Sequence, residues 1–148
     1  MVTIRKINPE GYVTDLAVLP EQEPFVHSAE QIIEDVLEDV KAGSVLHCTL
    51  FEILSDEFPV GLVYYADLPE LNVYNLCQFF IDKRYQGRGY GKAALLLVLE
   101  RMREEGRYKR VSVTYHEGND VALKLYESVG FVHTGAEFEG DKDMERDL

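Results

Sequence analysis

At 148 residues and 46% hydrophobic content, the chain has room for one compact domain, residues 1–148, which would bury roughly two thirds of its unfolded surface. Its net charge of -12 opposes nucleic acid and anionic membranes as partners and favours cationic ones. The longest strongly apolar run, residues 93–99, falls far short of the roughly 20 residues that span a bilayer, and the N-terminus has no apolar signal core, so the reading is a soluble, cytoplasmic protein.

Residues 2–7 alternate apolar and polar side chains, the period of a half-buried strand, and Asn8, Pro9, Glu10 and Gly11 stop it. Residues 12–19 read equally as a short helix or an irregular connection, and Pro20 and Pro24 break the stretch that follows. Ser28 with Gln31 three residues on has the form of a capping box. The helix begun there carries Ile32, Ile33, Val36, Leu37 and Val40 along one side and stops near Lys41, with Gly43 as terminator. Residues 45–54 and 60–66 are strands about a turn of Ser55, Asp56, Glu57 and Pro59. Residues 73–81 are almost continuously apolar, as in a central strand covered on both faces.

Gly87, Gly89 and Gly91 then lead into a helix over residues 90–105 that Gly106 closes. Its run 93–99 is too wide for one narrow stripe and predicts close packing on a sheet. A strand at 110–114, a short helix at 119–129, a strand at 131–138 and an alternating tail at 144–148, suited to an edge strand, complete the order. The fold class is α/β (α+β), a mixed sheet with helices on its faces.

Charge is unevenly spread. Residues 10–57 hold twelve carboxylates against one basic residue, Lys41, whereas residues 82–110 hold nine Lys or Arg against four acids. The first region suits a cation, or simply a solvated face, and the second suits phosphates. Cys48 and Cys77 lie in apolar segments without ligand-like spacing and read as buried thiols in preference to a disulfide or a reactive pair. The four histidines, His27, His47, His116 and His133, are scattered, so no metal site is expected, and no G-x-S-x-G elbow offers a serine nucleophile.

The segment from Tyr85 to Lys92, Y-Q-G-R-G-Y-G-K, lies between a buried strand and a long helix. Glycines let successive N–H groups approach an anion, and the helix N-terminus adds unpaired donors of favourable polarity. Arg88 and Lys92 add charge. A phosphate or pyrophosphate site is the functional reading; turn glycines of no further purpose are the plainer one. The Rossmann fingerprint does not fit strictly alternate glycines, and the P-loop does not fit Lys92 followed by Ala93.

This segment resembles the pyrophosphate signature Q/R-x-x-G-x-G/A of the GNAT superfamily of N-acetyltransferases, with Gln86, Arg88, Gly89, Tyr90 and Gly91 in frame. Phe79, Phe80, Ile81 and Asp82 resemble the end of that family's fourth strand. Residues 119–131 resemble its N-x-x-A-x-x-x-Y-x-x-x-G-F segment through Asn119, Ala122, Tyr126, Gly130 and Phe131. The resemblance covers nearly the whole chain and is least distinct after Gly135.

It implies a mostly antiparallel sheet splayed between the fourth and fifth strands, with acetyl-CoA as cosubstrate and no metal. Phe79, Phe80 and Ile81 would line the pantetheine arm. Backbone N–H groups of Arg88, Gly89, Tyr90, Gly91 and Lys92 would hold the pyrophosphate, with Gly87 in the same cofactor-binding turn. Gln86, Asn119, Lys124 and Tyr126 would complete the cofactor-binding set, although Asn119 also suits a helix cap. Tyr126 would be the catalytic general acid toward the thioester sulfur, with a backbone N–H near Phe80 polarising the carbonyl. Glu52, Asp82, His116 and Glu117 are conceivable proton relays, although structural or surface roles suit each.

Residues 16–26 resemble small bacterial spermine/spermidine acetyltransferases, which makes a polyamine the expected acceptor. Glu21, Glu23, Glu30 and Glu34 would meet its ammonium groups, with Tyr12 or Phe25 over its methylenes. Aminoglycoside and peptide or protein acetyltransferases remain alternatives, as does a noncatalytic acyl-CoA-binding module. Dimers are frequent in the family, so a homodimer using residues 144–148 stays open.

Overall fold

Seven strands form one sheet in the order β1-β2-β3-β4-β5-β7-β6: β1 (Val2–Lys6), β2 (Cys48–Ser55), β3 (Phe58–Leu68), β4 (Val73–Ile81), β5 (Arg110–Tyr115), β6 (Val132–Phe138) and β7 (Asp141–Asp147). Among the described residues three α-helices cover it: α1 (Ala29–Ala42), α2 (Tyr90–Glu105) and α3 (Asp120–Ser128). This computed structural model describes residues 1–43 and 48–148, without the Cys48 side chain. The expected strand start at 45–47, His47 and the Cys48 thiol lie outside the described residues.

Local signals act as the sequence suggests. The Ser28 hydroxyl accepts from the Gln31 N–H at 3.1 Å, and Gly43 ends α1 in the left-handed region at φ 61°, where glycine carries no Cβ penalty. Only half of the expected capping box forms, because the Gln31 amide turns to Asp35 Oδ1 at 2.8 Å. Residues 12–19 are irregular, ending in a single 3-10 turn at Pro20–Gln22.

Alternation along β2 and β3 sends side chains to two cores. Phe51, Val63 and Tyr65 face α2 and α3, while Leu50, Leu62 and Tyr64 face α1 and the 16–18 segment. Leu95, Val98 and Met102 of α2 are fully buried, each contributing roughly 1.5–3 kcal/mol by leaving water.

Three expectations need correction. Leu37 and Val40 of α1 stay exposed, and so do Leu96 and Leu97 of α2, because each helix packs on one side only and, among the described residues, no further layer covers its outer face. Residues 144–148 are not an edge: β7 pairs with β5 on one side and β6 on the other, and Met144 is wholly buried. The edge is β6, exposed along its whole length.

The feature that positions the site lies between β4 and β5, the sheet's one parallel pair among the described residues. Their pairing runs only from Tyr74↔Val111 to Leu76↔Val113, although β4 continues to Ile81 and β5 to Tyr115. Against β3, the register moves from Tyr65↔Leu76 to Tyr64↔Gln78, which leaves Cys77 as a bulged residue. A bulge bends its strand and increases its twist, and this one sits where β4 parts from β5. Gly61 holds the same region from the other side, since a Cβ there would lie 2.3 Å from the Phe80 carbonyl oxygen.

Candidate active site

Parting the strands leaves backbone groups unpaired. The Asp82 N–H donates to Val60 C=O at 2.7 Å, and hydrogen-bonded positions alternate along an antiparallel ladder. Phe80 therefore bonds β3, whereas the N–H and C=O of Phe79 and Ile81 turn toward the opening. A cavity of about 490 Å³ occupies it, walled by the Phe79, Phe80 and Ile81 stretch, by Val18 and Val26 of the N-terminal segment and by Ala122, Leu125 and Tyr126 of α3. That volume is within the range of small-molecule sites.

Gly87, Gly89, Tyr90, Gly91 and Lys92 close one end of the cavity. Side chains cap two of the helices, Ser28 for α1 and Asn119 for α3, but the N-cap of α2 is Gly89, which offers none, and no acidic residue occupies the first turn. A 16-residue helix thus points uncapped N–H groups and its positive end at the cavity, with Lys92 beside them, and this suits an anion. Gly89 has φ 81°, and a Cβ there would meet no protein atom within 4 Å.

The turn is fastened from behind. Gln86 Nε2 donates to Ile81 C=O at 2.9 Å and to Gln22 Oε1 at 2.8 Å, and Gln22 Nε2 returns a bond to Gln86 Oε1 at 3.1 Å. Both donor hydrogens of the Gln86 amide are thereby committed, so its side chain positions the loop. Asp82, fully buried, accepts from Ala17 N–H at 2.9 Å and from Arg84 N–H and Nε at 2.8 Å each, while Arg84 reaches Asp15 at 3.2 Å. Burial works to raise the Asp82 pKa, but these hydrogen bonds prevail and hold it below the usual carboxylate range. Its lone pairs are taken, which removes it as a proton relay.

Tyr126 projects from α3 with 7% of its surface exposed. Its hydroxyl has no hydrogen-bond partner among the described residues, and burial pushes its pKa up to about 12. The phenol is therefore protonated throughout the physiological range. Asn119 Oδ1 caps α3 through the Ala122 N–H at 3.3 Å, so the cap and the cavity wall are one residue. Arg88 and Lys124 do not line the cavity: Lys124 is exposed, and the Arg88 guanidinium lies 5.7 Å from the Tyr85 ring centroid and 3.4 Å from Arg84 C=O.

Tyr126, Asn119, Ala122, Phe79 and Val26 also wall a second, polar pocket of about 160 Å³ that contains Phe25, His27, Cys77, His116 and Asp141. Cys77 is half-buried, contrary to the expected core thiol, with its sulfur 3.4 Å from Asn75 Nδ2. Glu52 pairs with Arg5 at 2.6 Å and accepts from the Tyr12 hydroxyl at 2.6 Å, beside a third cavity that Asp15 and Arg84 also line. Glu21, Glu23, Glu30, Glu34 and Glu117 are exposed and line none of these three cavities.

A sheet opened between its fourth strand and a parallel fifth, with an uncapped glycine turn at the end of the gap, is the architecture of an acetyltransferase. Residues 20–131 match the model of the Acetyltransferase (GNAT) family, and the chain belongs to that family. The Spermine/spermidine N(1)-acetyltransferase of Bacillus subtilis (strain 168) is 30% identical, with 92% of this chain and 90% of that protein aligned. The PaiA N-acetyltransferase from Thermoplasma acidophilum, solved in complex with coenzyme A, shares the fold at a TM-score of 0.68 and 21% identity over 100% of this chain and 99% of that one. A domain from Methanocaldococcus jannaschii does so at 0.74 and 21% over the same shares.

Proposed function

We propose that this chain is a cytoplasmic enzyme that transfers the acetyl group of acetyl-CoA to a primary amine of a polyamine such as spermine or spermidine, by direct attack in a ternary complex. The observation that carries the reading is Tyr126, whose side chain walls both the apolar cavity and the polar pocket. A thioester in the first and an amine in the second would meet at its hydroxyl. The Bacillus subtilis relative supports the polyamine, and so does the net charge of -12.

In this scheme N–H groups of residues 87–92 hold the pyrophosphate, and Lys92 adds charge. The backbone N–H and C=O of Phe79 and the N–H of Ile81, whose carbonyl is held by Gln86, face the amide-bearing arm. An N–H of this stretch also polarises the thioester carbonyl as negative charge develops on its oxygen. Tyr126 keeps its proton at neutral pH and delivers it to the departing sulfur, a contribution typically of 10²–10⁴-fold. Asn119 holds α3 at the wall, and Gln86 and Gln22 keep the turn against β4. Arg88 and Lys124 contribute charge at most from outside the cavity.

Thiol release from acetyl-CoA, measured against spermine, spermidine, putrescine, an aminoglycoside and a short peptide with a free amine, tests the reading. Saturable turnover confined to the polyamines is expected. Turnover of only the aminoglycoside or only the peptide would overturn the acceptor class.

A further inference from the structure

The polar pocket contains a side-chain pair that this scheme leaves unused. His116, in the turn after β5, sets Nδ1 2.9 Å from Asp141 Oδ1. An ionised carboxylate only accepts hydrogen bonds, so Nδ1 carries the proton of the neutral ring and Nε2 presents a bare lone pair. The Phe25 ring packs on the imidazole at 5.6 Å between centroids, and the Asn119 N–H bonds His116 C=O at 2.9 Å. The imidazole's loop is thereby tied to the cap of the helix that bears Tyr126. Asp141 is fixed in turn by a tight hairpin: Glu139 and Gly140 both have positive φ, 53° and 88°, as a type I′ turn requires, and Phe138 pairs with Asp141.

We propose that His116, oriented by Asp141, is the base that deprotonates the acceptor ammonium, an inference that rests on acetyl transfer at Tyr126 but not on the acceptor being a polyamine. An alkyl ammonium with a pKa near 10.4 is neutral in only about one molecule in 2,500 at pH 7, so a base at the pocket has much to supply. The ammonium gives its first proton to His116 Nε2, which passes it to solvent. The neutral nitrogen attacks the thioester carbon, forming C–N. The C–S bond then breaks and the sulfur leaves with the Tyr126 proton. The nitrogen's second proton returns to the Tyr126 oxygen, so the products are amide, thiol and one released proton.

Other candidates fit less well. His27 Nδ1 is contested, 3.1 Å from Asp35 Oδ2 and 3.4 Å from the Gln78 amide nitrogen, so its tautomer is not fixed by one partner. Asp82 is saturated, Glu52 is ion-paired with Arg5, and Glu117 does not line the pocket. The titratable groups around His116 are Asp141 of β7, Tyr115 of β5 with its partner His133 of β6, His27 with Asp35, Cys77 of β4 and Tyr126 of α3.

The test compares wild type with His116→Ala, His116→Gln and Asp141→Asn on whichever amine wild type acetylates. At pH 7, kcat/KM for the amine should fall about 10²–10³-fold in the His116 variants and about tenfold in Asp141→Asn, with acetyl-CoA Kd unchanged by calorimetry. The His116 deficit should narrow as pH rises from 7 to 10, because solvent then deprotonates the amine, and added imidazole should partly restore His116→Ala. Thermal melts verify folding, and His116→Gln carries the pH comparison if the alanine variant unfolds. A His116 variant that matches wild type at pH 7, or a deficit constant across that pH range, overturns the base. Wild-type turnover of a different amine with the deficit intact overturns only the polyamine reading. A wild type that acetylates no amine at all overturns both.

Discussion

The large apolar cavity and the small polar pocket share a wall at Tyr126 but are built by opposite means. The cavity is made by the backbone: a bulge, a parting of two strands, a left-handed glycine and an uncapped helix end. The pocket is made by side chains from distant segments, with His27 and Phe25 from the N-terminal third, His116 after β5 and Asp141 at the start of β7. A backbone-built site depends on residues adjacent in sequence and can serve any chain with the same turn. A side-chain-built site is assembled by tertiary contact, so it is the part free to differ between enzymes that share a fold.

Of the five residues common to both, Tyr126 should have the largest effect. Tyr126→Phe removes only the hydroxyl, so acetyl-CoA affinity should persist while kcat falls about 10²–10³-fold, or roughly 3–4 kcal/mol of barrier. Unchanged kcat would break the link between the two regions. The phenol is pushed up to about 12 by burial, so no loss of wild-type activity below pH 11 should trace to its ionisation.

The fastening behind the cavity comes next. Asp82→Asn leaves Arg84 without its buried partner, and because Arg84 is half exposed the loss should be about 2 kcal/mol, below the roughly 3–5 kcal/mol of a fully buried pair. The folded-state pKa of Asp82 is depressed, so its contribution is present above the unfolded value of about 3.9 and is lost as pH falls through the folded value. Urea melts at pH 7 and pH 3 should show the gap between wild type and variant shrinking at the lower pH. A gap that stays constant would assign the loss to packing instead of charge.

Within the glycine turn, Gly89→Ala should raise the acetyl-CoA Kd about tenfold. The added Cβ meets no protein atom but would stand in the path of an approaching anion, whereas its left-handed strain of about 1–2 kcal/mol burdens the fold in the free and bound states alike. Gly91→Ala should lose less, about twofold, because its Cβ would rest 3.6–3.8 Å from Ile81, Leu125 and Phe79, ordinary contact distances on a helix. Calorimetry that ranks the two in the reverse order would deny Gly89 its special position.

The same division governs what the sequence disclosed. Helix α2 is legible to the residue because glycines bracket it, and α1 because Ser28 and Gly43 do. The run around Gly87–Gly91 is legible because alternate glycines between a buried strand and a helix stand out in the sequence itself. Alternation records which face a strand buries and not which neighbours it has, so the tail reads as an edge while β7 lies inside the sheet. Gln22 was visible only as part of an N-terminal likeness, since its partner Gln86 is 64 positions away. Gly61 carried no signal at all, because its Cβ would strike a carbonyl of the neighbouring strand. The pairing of His116 with Asp141 depends on a hairpin that only the folded chain completes.

The smallest effect separates the pocket from the acidic surface around it. The polyamine resemblance and the acidic N-terminal third together point to Glu21 and Glu30 as partners for the acceptor, yet both are exposed and stand outside the three cavities. Charges so placed act through the field that gathers cations, which screens over about 8 Å at physiological salt. The double replacement Glu21→Gln with Glu30→Gln should therefore change the polyamine KM by less than about twofold at 0.15 M salt, by more at 0.01 M, and leave kcat unaltered. A large KM increase that persists at high salt would mean that these carboxylates touch the amine directly, and would move acceptor recognition from the His116–Asp141 pocket to the outer face of the N-terminal segment.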